Sequence, residues 1–460
     1  MSKVEKKKTI SPYLLVIISF LVVILIGSLL LTLPISHSDG EWGKFIDSFF
    51  VSTSATCVTG LNTYKEGLAG ELTFFGQAIV LVMIQIGGLG FITIFAFIIS
   101  IFQRRLKFKD RLFLSQAVNS TTVSQVSRFV GRVILIVLIA EVVGFLAGLP
   151  VFLTLDGNFS ISQRIWMSAF TSVSAFNNAG FDIFGKYSLM RIAENSIIYN
   201  MPDWAYYYML SYIMVLIILG GISFVAIIEI FFNKRKPRQW SSFTRIVLLS
   251  TGVLLVLGTG VFMLSDVISG NISPFDALFQ SVTTRTAGFA NVDQANLSSV
   301  AKTMSCLLMF IGGSPIGTAG GIKTTTIFMI IISFIRFVQG KNIVAFKRQY
   351  NRLSVIKAMS IVFLAVLIII VSFMLIISLD GYQDGVDAES TFFEVFSAFG
   401  TTGLTTGITP QLSVGSKIVL CILMFFGRLG PITMFQIFQG NMEKEESRHF
   451  KYIETNVIIG

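Results

Sequence analysis

Eight stretches of the chain are apolar and long enough to cross a membrane, and this pattern constrains the fold more than any other feature. They fall near 13–33, 74–101, 130–154, 208–232, 244–264, 300–335, 358–378 and 415–438. A helix rises 1.5 Å per residue, so about 20 residues cover the ~30 Å of hydrocarbon in a bilayer. Hydrophobic residues make up 53% of the 460 and charged residues only 13%, whereas a soluble chain carries about 25% charged residues. A set of soluble domains is thereby excluded, and one integral membrane unit is expected.

Lys and Arg near the ends of these stretches set the orientation. The N-terminus, 102–132, 233–245, 336–357 and the C-terminus together hold 25 of the 35 basic residues, against seven in the alternate loops. Both termini are therefore expected in the cytoplasm. The formal charge of +10 is spread over these short loops and forms no basic domain, so no nucleic-acid partner is expected. Acidic residues lean the other way, with 17 of 25 on the outer side, among them Asp380, Asp384, Asp387 and Glu389. Such a surface would concentrate cations near an entrance, although ordinary solvated loops would read the same. The start, MSKVEKKK, precedes an apolar run without an A-x-A cleavage pattern, which predicts an uncleaved first span. Cys57, Cys306 and Cys421 show no metal-ligand spacing and make no disulfide framework. His37 and His449 lie in polar segments, which argues against Ser-His-Asp chemistry or a His-ligated metal within the membrane.

Between paired spans lie shorter amphipathic stretches near 44–56, 164–176, 274–284 and 390–399, whose lengths suit re-entrant half-helices. They end in SATCVTGL (54–61), SAFNNAGF (174–181), VTTRTAGF (282–289) and SAFGTTGL (397–404). Each joins small hydroxyl residues to a turn that closes in Gly and one bulky apolar residue. Gly60, Gly180, Gly288 and Gly403 are separated by 120, 108 and 115 residues. A second element follows in the next span: IGGLGFIT (86–93), LGGISF (219–224), IGGSPIG (311–317) and FGRLGPIT (426–433). Small residues also let membrane helices pack, which accounts for a single copy but hardly for both elements in one order four times. The predicted fold is an all-α polytopic membrane protein of eight transmembrane helices. They form four parallel units of span, pore half-helix and span around one axial pore. The boundaries are a cytoplasmic N-terminus at 1–12, repeat 1 at 13–101, a cytoplasmic loop at 102–129 and repeat 2 at 130–232. A loop at 233–243, repeat 3 at 244–338, a loop at 339–357, repeat 4 at 358–438 and a cytoplasmic C-terminus at 439–460 complete the chain.

A bare cation entering a membrane must exchange its water shell for oxygen ligands. Backbone carbonyls held inward by a loop do this, and Gly allows the backbone angles without steric cost. The candidate carbonyl ligands are Cys57, Val58, Thr59 and Gly60; Asn177, Asn178, Ala179 and Gly180; Thr286, Ala287 and Gly288; and Thr401, Thr402 and Gly403. Each half-helix would aim the negative end of its dipole at the axis. The hydroxyls of Thr59, Thr286, Thr401 and Thr402 would add oxygens or brace the loops. No acidic residue lies in these turns, which argues against a carboxylate ring for divalent cations. Arg285 beside the third turn either shapes that loop or points away and pairs behind it. The second reading is preferred, because an arginine on a cation's path repels it.

The sixth stretch is broken by GGSPIGTAGGIKTTT (312–326), in which five Gly, one Pro and five Ser or Thr oppose a helix. Irregular backbone at membrane depth is tolerated only where it is buried in protein or lines a wet cavity. A displaceable loop there is a candidate gate, built from Gly312, Gly313, Ser314, Pro315, Gly317, Thr318, Gly320, Gly321 and Lys323. Arg428, the sole charge in the eighth span beyond Lys417 at its start, replaces the second Gly of the shared motif and must find carbonyls or a carboxylate. It is expected to hold the loop; a purely structural pair is the alternative. Lys323 works with the loop or snorkels inward. Glu141, mid-span, is read as a packing or interface partner, and Glu229 as a partner of Lys234 or Arg235. Ile322 separates Gly321 from Lys323, so the loop is not a phosphate-binding loop.

These elements together resemble the Trk/Ktr/HKT superfamily of potassium transporters, and within it the bacterial Ktr-type membrane subunit. The resemblance runs from the first span to about residue 440. It rests on the four Gly-ended loops, the broken sixth span and the arginine in the eighth. It implies potassium bound at filter carbonyls, with Gly60, Gly180, Gly288 and Gly403 as the filter glycines, and an intramembrane gating loop at 312–326 with Arg428 below the filter. It implies no cofactor in the chain itself, uptake stimulated by sodium, a homodimer in the bacterial plasma membrane, and a cytoplasmic ring of regulatory subunits that bind nucleotide. A secondary transporter of a small organic solute is the competing reading, which same-sided repeats oppose. An intramembrane enzyme lacks a His or carboxylate constellation.

Overall fold

The computed structural model describes residues 12–102, 123–155, 159–191, 196–233 and 236–430. The first unit contains α1 (Pro12–Thr32), the half-helix α2 (Phe45–Thr56), a short α3 (Gly67–Glu71) and α4 (Phe74–Phe102). The second contains α5 (Val123–Leu153), half-helix α6 (Ile161–Phe176), α7 (Asp203–Gly221) and α8 (Phe224–Ile228). The third contains α9 (Ser242–Phe262), half-helix α10 (Pro274–Thr283), α11 (Ser299–Phe310) and α12 (Thr324–Val338). A small antiparallel pair, β1 (Val344–Ala345) and β2 (Arg348–Gln349), leads to the fourth unit. That unit is α13 (Arg352–Asp380), half-helix α14 (Ala388–Gly400) and α15 (Val414–Leu429). Among the described residues, Arg128–Leu153, Asp203–Gly221, Ser242–Val267 and Arg352–Asp380 are long and apolar enough to cross a membrane.

Local chemistry sets where the half-helices begin. Ser160 and Gln163 form a reciprocal capping box that starts α6 three residues before the expected 164. Ser273 and Asp276 do the same for α10, with Pro274 at its first position. Asp387 accepts from Ser390 N at 2.8 Å to open α14, and the Ser390 contacts hold its carboxyl below the usual carboxylate range.

The second helix of each unit packs on the half-helix of the next: α4 on α6, α7 on α10, α11 on α14, and α15 back on α2. The four units therefore close into a ring. Lys302 and Lys417, each four residues after a capping serine (Ser298, Ser413), reach the first turn of the neighbouring half-helix. Lys302 lies 3.5 Å from Glu389, and Lys417 lies 2.8 Å from Asp47. Between the first two units Trp166 donates to Gln77 at 2.8 Å, and between the second and third Tyr207 meets Phe275 edge-on. A buried carboxylate fastens each of the last two units internally. Asp266 accepts from Ser298 N at 3.0 Å, and Asp380 from Ser413 N at 2.9 Å. Asp380 thus leaves the acidic outer surface in which it was expected to act, because a helix-start N–H claims it; Asp384 stays exposed. Glu229 accepts from Ser241 N at 2.8 Å at the start of α9, whereas Lys234 and Arg235 lie outside the described residues.

The second helices differ most from expectation. Besides the sixth stretch, 74–101 and 208–232 also break at the shared glycine motif, and the helix of 415–438 ends there. Gly90 takes φ 57° and ψ −168° inside α4, α7 stops at Gly221, and α15 stops before Gly430 at φ 81°; 431–438 lie outside the described residues. The first Gly of the motif explains the recurrence. Gly87, Gly220 and Gly427 lie directly against the carbonyl oxygens of Thr56, Phe176 and Phe399, the ends of the half-helices α2, α6 and α14, where any Cβ would overlap. In the third unit Gly312 faces Gly320 instead, and the helix gives way to a loop over 311–323.

Lys417→Met should leave Asp47 nearly buried and unpaired, lowering the midpoint of thermal unfolding in detergent by the equivalent of about 3 kcal/mol. Pairing it with Asp47→Asn should recover most of the loss. An unchanged midpoint for the single variant would show that the contact does not hold the ring closed.

Candidate functional site

The ring brings the four loops that carry the candidate ligand residues against one another. Two residues before each terminal glycine the backbone enters the left-handed region at a non-glycine residue: Val58 (φ 58°), Asn178 (57°), Thr286 (66°) and Thr401 (49°). Such residues are uncommon and cost of order 1 kcal/mol or more, so their recurrence at one place in four loops is a built feature. The glycines also have positive φ: 100° at Gly60, 69° at Gly180, 79° at Gly288 and 92° at Gly403. A strand alternates its carbonyls, but reversing the sign of φ at every second residue turns successive carbonyls to one side.

Those carbonyls face the neighbouring unit. A Cβ built on Gly60 would lie 2.6 Å from the Ala179 oxygen, and one on Gly180 would lie 2.7 Å from the Ala287 oxygen and 3.2 Å from that of Thr402. On Gly288 it would overlap the Thr402 oxygen, and on Gly403 that of Thr59. The four oxygens thus form a closed circuit with the four glycines, and side chains are excluded from it.

Each loop hangs from the last turn of its half-helix. Thr59 N, Ala179 N and Thr402 N donate to Ser54 O, Ser174 O and Ser397 O at 2.8, 2.8 and 2.9 Å. The same serines act through their hydroxyls: Ser54 and Ser397 accept from Gly60 N and Gly403 N at 3.0 and 3.1 Å, and Ser174 donates to Phe181 O at 2.5 Å. In the third unit Thr283 takes this place, one residue nearer the glycine, donating to Phe289 O at 2.7 Å. Sequence reasoning missed these four residues, although a hydroxyl six residues before the glycine in three copies was the signal. By contrast, the Thr59, Thr286, Thr401 and Thr402 hydroxyls are buried without a hydrogen-bond partner, so they do not brace the loops.

Three residues before the glycine the units diverge into Cys57, Asn177, Arg285 and Gly400. Asn177 donates to Glu141 of α5. Arg285 turns away from the ring and reaches Gly312 O at 3.5 Å, with no carboxylate partner among the described residues. The partner expected behind the loop is thus a carbonyl.

The 311–323 segment crosses from the second unit to the fourth beneath the loops. Ser314 N and Thr318 N donate to Gly221 O and Gly220 O at 3.1 and 3.2 Å, and Ile316 O accepts from Phe224 N at 2.8 Å. These bonds reuse carbonyls and an amide freed by the break after α7. Thr318 Oγ1 reaches Phe176 O at 3.3 Å, and Gly320 lies against the Thr401 side chain. Lys323 Nζ turns back on the segment, donating to Ala319 O at 2.7 Å and Gly320 O at 3.4 Å. Arg428 bonds Thr318 O of the segment and Gly87 O of the first unit, and approaches Gly88 O at 3.4 Å. Among the described residues Arg428 thus finds only carbonyls.

Converging carbonyls at the negative ends of four helix dipoles, without a carboxylate in the circuit, can hold a cation that has shed water and release it again. The comparisons agree with cation handling. The family model of the cation transport protein TrkH matches residues 4–449. The potassium/sodium uptake protein NtpJ of Enterococcus hirae is 32% identical, covering 100% of this chain and 99% of its own length. The Ktr system potassium uptake protein B of Bacillus subtilis is 33% identical over 100% and 99%. The crystal structure of the potassium transporter TrkH from Vibrio parahaemolyticus shares the fold, with a TM-score of 0.71 at 18% identity over 94% of this chain and 86% of that one. With both recurring motifs in every unit and a family match over nearly its whole length, the chain belongs to the TrkH family of cation transport proteins.

Proposed function

We propose that this chain is the membrane subunit of a bacterial Ktr-type potassium-uptake system, with eight crossings arranged as four same-sided units around one axial pore. The circuit of Thr59, Ala179, Ala287 and Thr402 carbonyls against the four glycines is the observation that carries this reading. Potassium enters from outside, exchanges water for these carbonyls, and passes the displaced 311–323 segment into the cytoplasm. Sodium stimulates uptake. Arg428 and Lys323 hold the segment in place and add positive charge below the filter. Two copies pair in the plasma membrane, and a cytoplasmic ring of nucleotide-binding subunits docks on the basic inner loops to move the segment. The names of the Ktr relatives support the assignment to such a system.

Uptake of potassium and sodium into potassium-uptake-deficient bacterial cells, with and without the regulatory partner, tests the reading: potassium-selective uptake enhanced by the partner is expected. No cation uptake by correctly inserted protein with the partner present would overturn it. Gly288→Ser or Gly403→Ser adds a Cβ where a carbonyl oxygen already lies. Each should reduce the preference for potassium over sodium about tenfold, corresponding to roughly 1.4 kcal/mol of differential binding. Unchanged ion preference in flux assays would refute the filter assignment. Arg428→Ala, or deletion within 314–320, should raise basal flux without the partner. Unaltered or reduced flux in a well-folded variant would sink the gate.

A further inference from the structure

Glu141 lies in the middle of α5, 8% exposed, at a depth where a carboxylate is costly. It belongs to a closed triad rather than to a general packing surface. Asn177 Nδ2 donates to Glu141 Oε1 at 3.0 Å and to Gln85 Oε1 at 3.1 Å, and Gln85 Nε2 donates to Glu141 Oε2 at 3.2 Å. The same Nδ2 lies 2.9 Å from Val173 O of the half-helix α6. Ser172 Oγ of α6 donates to the Glu141 backbone oxygen at 2.7 Å, so residue and half-helix meet twice. On the far side Gly88 of α4 packs so closely on Asn177 that a Cβ there would overlap its side chain. Asn177 is therefore held between α4, α5 and α6 in one rotamer.

Its place in the loop gives this clamp a consequence. Asn177 caps α6 and immediately precedes Asn178, the left-handed residue at φ 57°, which precedes Ala179, whose carbonyl faces Gly60. The other units carry Cys57, Arg285 and Gly400 at this position, and none of these bonds a carboxylate among the described residues.

We infer that Glu141 is a positioning residue of the second filter loop: through Asn177 it fixes the turn at Asn178 that aims the Ala179 carbonyl, and so contributes to ion selectivity from behind the pore. The inference rests on the reading of these loops as a filter. Glu141→Ala, Asn177→Ala, the double variant, Glu141→Gln and Gly288→Ser as reference are compared for potassium:sodium uptake ratio and for the thermal midpoint of the full chain.

Each single alanine variant should lower the ratio about tenfold, the double variant should be no worse than either, and Glu141→Gln, which keeps an oxygen for Asn177, should restore most of the ratio. A purely structural role would lower the midpoint and leave the ratio alone. Wild-type ratio in Glu141→Ala alongside a changed ratio in Gly288→Ser overturns the inference and leaves the filter standing. Unchanged ratios in both overturn the filter reading itself. If Glu141→Ala does not fold, Asn177→Ala decides: a wild-type ratio there overturns the inference.

Discussion

A helix that ends inside a membrane leaves its last carbonyls without water to bond, and the rest of this molecule follows from how that deficit is met. Each half-helix is answered first by its own loop, whose amides return to Ser54, Thr283 and their counterparts, and this return forces the left-handed residue and the positive-φ glycine. The loop carbonyls are then left facing the neighbouring units. The second helices then pack on the half-helix ends, close enough to require glycine at 87, 220 and 427. A geometry suited to carrying a cation is thus the residue of a hydrogen-bonding problem solved four times.

The third unit solves it differently. Its first motif glycine faces its own chain at Gly320, and the polypeptide between α11 and α12 wanders across to the second and fourth units. The freed groups of one broken helix satisfy those of another. Arg428 contributes the remaining donors and, in one side chain, joins the fourth unit to the third and the first. The segment is held by the least specific of acceptors, backbone oxygen.

Much of this was legible in the sequence. The order of units and the glycine turns showed in motif spacing, because a positive φ and a close approach both restrict the choice of residue. The breaks in α4, α7 and α15 were hidden, since an apolar average over twenty residues is barely changed by one kink. The pairing of Gly87 with Thr56 or of Asn177 with Glu141 is a contact between distant positions, and one sequence carries no record of distance. Asp380 misled for a related reason: an acidic residue at a helix end reads as surface until the serine that claims it, 33 positions later, is seen to be its neighbour.

The closure of the ring through Lys417 and Asp47 has a consequence in time. The two residues stand 370 positions apart. At about 5 to 20 residues per second, the first half-helix waits on the order of 20 to 70 seconds after synthesis for the partner that seals it. During that interval the acidic first turn of α2 lacks its partner, and α15, made after the other described helices, is the one that closes the ring. Biogenesis therefore ends, as well as begins, at the first unit, and a nascent chain stalled before α15 would be an incomplete circle exposed to lipid.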